Sequence, residues 1–429
     1  MNLKLVPLKT WLTAGAVLTG TAWAQDEVTL TYWQYEFESK VDTIDALIEE
    51  FEAANPGVTV EQQTFPYDAF QQQVAAAVPA GEGPDVVNLF YGWLPAWADA
   101  GYLIPLPEDT FDPATIKSEF IPTVEAARYD DVYWGLPTAV RNLALFYNQE
   151  LFDEAGISSP PATWDEFIDV AKQLTVGENG RYERIGYGVA PDGQDHNLVR
   201  EVLVRQFGGA PYSDDNTQVT YNSPEGKEAF AFYTNWVTDD MIGVPNFVPG
   251  GSSGSAAGYR TGFLAGRIAM VIDGSFAIDA FNEGAGFTWS VAELPVLEEG
   301  GTRANFSSFW MNGLTPQAEQ SPEKLEAASK FVEFLTTEAA MQTWLENTGE
   351  LPARTSLAEN VELAQDPVYG PFIRALPYST ATFFADEAEQ RRLMLDAINR
   401  VWQQNADPGA SLDEAATEEQ TLLDDFWAE

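Results

Sequence analysis

Serine, histidine and carboxylates are the usual materials of hydrolytic chemistry, and in this chain they do not assemble into a catalytic pattern. Gly250-Gly-Ser-Ser-Gly254 fits the spacing of a nucleophile elbow. No strand pattern precedes it, and the single histidine, His196, comes before it, whereas the hydrolase order places histidine last. One histidine also excludes histidine-rich metal centres. With no cysteine, thiol catalysis, disulfides, Cys-zinc sites and iron–sulfur clusters are excluded. There is no P-loop, no His-Glu-x-x-His and no dinucleotide fingerprint after a strand. Asp214-Asp215-Asn216 offers oxygens to calcium but lacks the ligand ladder of a calcium loop, so it reads as a turn. Paired carboxylates for glycoside cleavage stay open, because 66 acidic residues put a pair near any cleft by chance. No catalytic residue, metal or cofactor is expected.

The aromatic residues point elsewhere. Of 13 tryptophans, 11 lie after residue 24. Trp164, Trp236 and Trp344 sit inside helical patterns and read as packing residues. Trp33 and Trp93 stand at or just past the ends of segments that read as parallel strands, where open α/β sheets bind ligands. A sugar ring has apolar C–H faces and polar edges. A flat aromatic supports the face, and nearby amides and carboxylates take the hydroxyls. Trp33-Gln34-Tyr35-Glu36 contains both components. The alternative is that Trp33 packs against the next helix.

Strands and helices alternate around these positions. Val28 to Trp33 alternates like a strand. Ser39 can cap a helix with Val41, Ile44, Ile48 and Phe51 on its apolar face, ended by Asn55-Pro56-Gly57. Val58 to Gln62 reads as a strand, Phe70 to Val78 as a helix stopped by Pro79 and Gly81, and Asp85 to Leu89 as a buried strand. This order implies parallel pairing in an α/β layered domain. Later helices begin at a capping box, Thr163-Trp-Asp-Glu166, and at Ser223-Pro-Glu225 and Ser321-Pro-Glu323. Arg267 to Ile272 is another apolar strand, and the Gly/Ser/Ala-rich stretch Gly250 to Gly262 reads as a mobile loop.

The chain has 429 residues, 66 acidic against 22 basic, with a formal net charge of −44. Nucleic-acid partners are excluded, since phosphates need a basic face. Length allows two or three domains, and 45% apolar content supports large cores. Residues 1–24 hold Lys4, Lys9, an apolar run and Ala22-Trp23-Ala24, the layout of a secretory signal peptide cleaved after Ala24. The mature product is expected to be exported and soluble. No later segment reads as apolar enough to span a bilayer.

Ordered landmarks resemble the extracellular solute-binding proteins of carbohydrate ABC importers, the group that includes maltose-binding protein. They are Phe51-Glu-Ala-Ala-Asn-Pro-Gly57, Gly83-Pro-Asp-Val-Val87 with Ala98-Asp-Ala-Gly-Tyr-Leu-Ile-Pro-Leu106, Tyr133-Trp-Gly-Leu-Pro137 with Leu145-Phe-Tyr-Asn148, Leu151-Phe-Asp-Glu-Ala-Gly156 with Thr163-Trp-Asp-Glu-Phe167, Gly266-Arg-Ile-Ala-Met270 with Gly274-Ser-Phe276, and Gly349-Glu-Leu-Pro352. The resemblance implies a two-lobed α/β periplasmic-binding (Venus-flytrap) fold with three interlobe crossovers, near Ala139 to Ala144, Phe309 to Leu314 and Glu350 to Arg354. Lobe one would be 25–140 plus 312–350, and lobe two 144–308 plus 354–429. By the same resemblance the ligand site would comprise Trp33, Gln34, Tyr35 and Glu36; Tyr91 and Trp93; Arg141 and Asn142; Asp195, His196 and Asn197; Gly274, Ser275 and Phe276; Ser308, Phe309 and Trp310; and Arg354. Phe276 stands where the family usually has Trp, and Ser308-Phe309-Trp310 where a Gly-Gly pair is common, so Trp310 can supply the missing ring. His196 can equally be a capping or surface residue, and Arg354 a surface ion pair. The implied role is to capture a sugar in the periplasm, as a monomer, and deliver it unchanged to a membrane permease.

Two other classes stay open. One is a binder of an anionic solute, such as a sulfosugar, sugar acid or glycerol phosphodiester, clamped by Arg141 and Arg354. The other is an extracellular carbohydrate-active enzyme. The acids run along the whole mature chain, whose net charge after residue 24 is −46, which points to a saline medium that screens them. The same charge disfavours anionic ligands.

Overall fold

The computed structural model describes residues 27–178, 180–250 and 257–428. The expected signal peptide therefore lies outside the described residues, as does 251–256 of the expected mobile loop.

Val28–Tyr35 pairs in parallel with Val58–Phe65 and Val86–Phe90, as the alternating pattern predicts. Helix Glu38–Ala54 follows the first strand and Tyr67–Ala80 the second. Two details differ. The first helix is entered from Phe37 with no side-chain cap, not from Ser39. Pro79 lies within the last turn of the second helix, which ends at Gly81 with φ +77°. That left-handed C-cap favours glycine. Thr163 forms the expected capping box with Glu166, and the hydroxyls of Ser223 and Ser321 accept from the backbone N–H of Gly226 and Lys324. Residues 258–262 of the expected loop are helical, within the helix Gly258–Leu264. Asp214-Asp215-Asn216 is a turn, with Asn216 at φ +55° and Asp215 accepting from Ser213 and Thr217.

Two long strands carry the sheet onward. Asn305–Leu314 runs antiparallel to Val86–Phe90 and to Gly135–Asn148. The latter changes partners along its length. Residues 135–142 pair with 307–313, whereas 143–147 pair with 270–274 of the strand Ile268–Gly274. Leu351–Pro352 adds a short antiparallel pairing to residues 139 and 140, and Ser379–Ala381 lies parallel to 305–307. One continuous sheet thus passes from the first three strands through the two long ones to Arg181–Tyr187 beyond.

Alternation along Gly135–Asn148 separates two cores. Leu143, Leu145 and Tyr147 join a cluster with Trp164, Phe167, Tyr187 and Trp236. Ala144 and Phe146 join the other cluster, which holds Phe51, Phe70 and Phe331. A strand buried on both faces reads as a continuous apolar run, as this one does from Leu143 to Tyr147. Trp164, Trp236 and Trp344 are packing residues, as expected.

Candidate ligand-binding site

Residues directly opposite each other in an antiparallel pair share a face of the sheet. Arg141 lies opposite Ser308, and Trp310 opposite Ala139. The register shifts between Trp310 and Met311, leaving Thr138 as the extra residue of a bulge. Bulges re-aim side chains at functional sites, and this one sits under Trp310. Arg141, Ser308 and Trp310 define a front face where the sheet changes partners. Asn142 and Phe309 lie on the rear.

The front face carries a cluster of rings. Trp310 lies 4.3 Å from Tyr35 between centroids, meets Trp93 edge-on at 5.1 Å and lies 6.2 Å from Tyr67. Tyr67 is 53% exposed, so the cluster opens to solvent there. Beside the rings is a buried charge cluster. Glu350 Oε1 pairs with Arg141 Nε at 2.5 Å and with Lys40 Nζ at 3.0 Å, and Glu350 Oε2 accepts from Trp344 Nε1 at 2.9 Å. Burial alone would raise the Glu350 pKa, but Arg141 and Lys40 hold it down at about 2. Lys40 Nζ also lies 5.2 Å from the Tyr35 ring and 5.9 Å from that of Trp310. The guanidinium groups of Arg141 and Arg260 each lie 5.2 Å from the Phe276 ring. Gly274 makes room for that ring, since a Cβ there would stand 2.2 Å from Phe276 Cε1. Arg260 is itself paired with Asp273 through two bonds of 2.6 and 2.7 Å.

Tyr35, Trp93, Arg141, Phe276, Ser308 and Trp310 therefore come together. The other predicted residues are placed differently. Trp33 is buried and packs on Phe65 of the neighbouring strand at 4.7 Å, away from the next helix named in the packing alternative. Gln34 is buried, with its amide turned to Gln62. Glu36 is exposed just past the first strand. Tyr91 stacks on Phe309 at 4.7 Å, on the rear face. Asn142 is a correction: its amide donates to Phe372 O and Ser379 Oγ, away from the front. Asp195 is another. It is fully buried, and its oxygens accept from Tyr187 Oη, Tyr233 Oη and Ala190 N. Burial raises its pKa to about 6 against those bonds. His196 is buried with Nδ1 2.9 Å from Pro191 O, and burial together with Arg391 lowers its pKa to about 3. Asn197 is buried, its nearest partner Gln194 at 3.4 Å, and Ser275 is buried under the Phe276 turn. Arg354 is the third correction. Its Nε donates to Thr336 O, its guanidinium pairs with Glu119, and it covers Phe120, so it is a structural tie and not an anion clamp.

Sequence reasoning missed Tyr67, Lys40 and Glu350. Tyr67 begins the helix after the second parallel strand, so the strand-end rule that singled out Trp33 and Trp93 applies to it equally. Glu350 lay inside a quoted landmark, but nothing in the sequence pairs it with Lys40, 310 residues away. Glu387 was missed as well. It is half-buried, with its pKa raised by burial against the pull of Arg391, and its charge is felt at Tyr67.

The sequence profile of the bacterial extracellular solute-binding proteins matches residues 46–370. The chain belongs to that family. This solute-binding protein is 27% identical to a maltotriose-binding protein of Pyrococcus abyssi, over 81% of this chain and 71% of that one. It is 25% identical to a galactooligosaccharide-binding protein of Bacillus subtilis, over 89% and 87% respectively. Among solved structures, an ABC transporter solute-binding protein from Thermotoga lettingae bound to α-D-tagatose superposes with a TM-score of 0.74 at 26% identity, covering 92% of this chain and all of that one. The fold is the two-lobed α/β architecture of periplasmic sugar-binding proteins. Members of the family are binding proteins. Among the described residues no helix is long and apolar enough to cross a membrane, and no group of ligating side chains could hold a metal ion.

Proposed function

We propose that the protein is the capture component of an ABC importer, taking a sugar or small oligosaccharide between its two lobes and handing it unchanged to a membrane permease. In this reading lobe one is 25–140 with 312–350, lobe two is 144–308 with 354–429, and the strands near 139–144, 309–314 and 350–354 join them. The protein acts as an exported, soluble monomer. The observation that carries the reading is the partly open ring cluster of Tyr35, Tyr67, Trp93 and Trp310, set against polar groups where the sheet changes partners. Rings take the C–H faces of a sugar, and the polar groups beside them take its edges. A ligand that touches both lobes in the closed state alone shifts the population toward closure. The sugars bound by relatives support the carbohydrate class.

A neutral sugar is favoured over an anion. The Arg141 charge is engaged by Glu350, and Arg354 is committed elsewhere. Titration calorimetry with maltotriose, a galactooligosaccharide, tagatose and an acidic sugar tests this. A neutral saccharide is expected to bind and to emerge intact on chromatography. Binding of the acidic sugar alone reverses the charge argument, and altered product reopens an enzymatic role.

A further inference from the structure

A cavity of about 410 Å3 lies beside the short strand Ser379–Ala381, on the side where Tyr91 stacks on Phe309. Its first wall is the Tyr91–Pro95 turn with the 122–130 segment, and its second is the 379–384 segment with Trp427. Tyr91, stacked on Phe309, separates it from the front cluster. We propose that this cavity is a second carbohydrate pocket, which takes a neutral sugar ring or short saccharide and is coupled to the cleft through the lobe angle.

Four observations support this. The volume falls within the range of small-ligand sites, roughly 300–1,000 Å3, and the walls mix rings with a few polar groups, as such sites do. Trp427 is 45% exposed, an uncommon state for the large apolar side chains here. Its indole N–H is satisfied by Asn216 O at 3.1 Å, and its ring is held parallel to Phe383 at 5.8 Å. A fixed, exposed indole of this kind is a platform for a sugar face. The Nε of Arg128, in the opposite wall, is buried without a partner and can donate to a sugar hydroxyl. Finally, that wall carries the single cation Arg128 beside the acids Glu125, Asp130 and Asp131, which disfavours an anionic ligand. Arg128 pairs with Glu125 at 3.5 Å and with Asp131 at 3.3 Å, and Glu125 also accepts from Tyr133 at 2.7 Å. A neutral ligand avoids disturbing these pairs.

The two walls belong to different lobes in the division proposed above. A ligand touching both has different affinities in states that differ in lobe angle, so occupancy here must change affinity in the cleft, and the reverse. Calorimetric titration of the full mature protein with glucose and with maltotriose into the millimolar range tests the proposal. Two binding events are expected. Trp310→Ala weakens the tighter event at least tenfold and leaves the weaker one. Trp427→Ala and the substitution to Ala of Tyr129, a ring in the 122–130 wall of the cavity, each remove the weaker event with a melting temperature near that of wild type. A single one-to-one event with both sugars overturns the second pocket, as does a weaker event indifferent to both substitutions. The cleft reading fails separately, if the tighter event is missing or indifferent to Trp310→Ala.

Discussion

Two buried carboxylates, Glu350 and Glu419, show how the same interaction serves two purposes. Glu419 sits inside the region proposed above as lobe two. It pairs with Arg200 at 3.0 Å, accepts from Tyr221 at 2.9 Å and from Gln390 at 3.1 Å, and is bonded by Tyr212. Its partners come from four separate segments packed within one body. Glu350 instead joins the helix after the first strand, the long strand where it changes partners and the short strand Leu351–Pro352. The first network ties together segments that lie close to one another. The second fixes the region about which lobes would turn, and it touches the ring cluster through Lys40. The difference teaches that a buried ion pair is informative about function only through the segments it connects.

Substitutions can break this contrast. Glu419→Ala leaves Arg200 buried without its counter-charge and is expected to cost about 3–5 kcal/mol in urea unfolding, with sugar affinity unchanged in the folded fraction. A loss of affinity there would erase the distinction. Glu350→Gln is expected to cost about 3 kcal/mol and also to change affinity, because Arg141 and Lys40 lose the group that positions them. Unchanged affinity would make Glu350 purely structural. Trp310→Ala should weaken sugar binding tenfold to a hundredfold, about 1.4–2.8 kcal/mol, with calorimetry as the check.

Acid sharpens the comparison at a different pair. The folded pKa of Glu350, about 2, lies below its ordinary value, so its contribution is complete above about pH 4.5 and is lost as pH falls toward 2. Asp195 has the opposite sign. Its folded pKa of about 6 lies above the ordinary 3.8, so the folded state is favoured at lower pH and loses that advantage as pH rises through 6. Going from pH 7 to pH 5 should therefore gain about 1 kcal/mol through Asp195. Unfolding midpoints of wild type and Asp195→Asn at the two pH values test it, and an equal pH difference in both proteins removes Asp195 as the source. The smallest effect is expected of Arg354→Ala, at most about 1 kcal/mol and no change in affinity.

The legible part of the fold was what local rules govern. Alternation located the first strand and a short buried run the third, and Thr163, Ser223 and Ser321 announced their helices through capping chemistry. Ser39 failed because the chain enters its helix two residues earlier, from extended Phe37. At the site, Tyr35 and Trp93 were singled out because rings at strand ends are a local signal, whereas Trp310, in the middle of Asn305–Leu314, was reached only through the family resemblance. Asn142 failed for a simple reason: adjacent strand residues face opposite sides, so it could not share the front with Arg141. Asp195 failed because Tyr187 and Ala190 just before it and Tyr233 from a later helix close over it, which spacing does not reveal. The same limit hid Glu350, whose partners lie about 310 and 209 positions away in the chain.

The lone histidine carries a last consequence. Its buried imidazole loses its proton near pH 3 and is uncharged at every milder pH. Histidine is the usual sensor of the step from acidic to neutral surroundings, and this protein has no second one. A pulse of mild acid outside the cell therefore cannot reach this protein as an imidazolium signal. If uptake responds to such a pulse, the sensing must come from carboxylates such as Asp195 and Glu387, from the solute, or from the membrane partner that receives it.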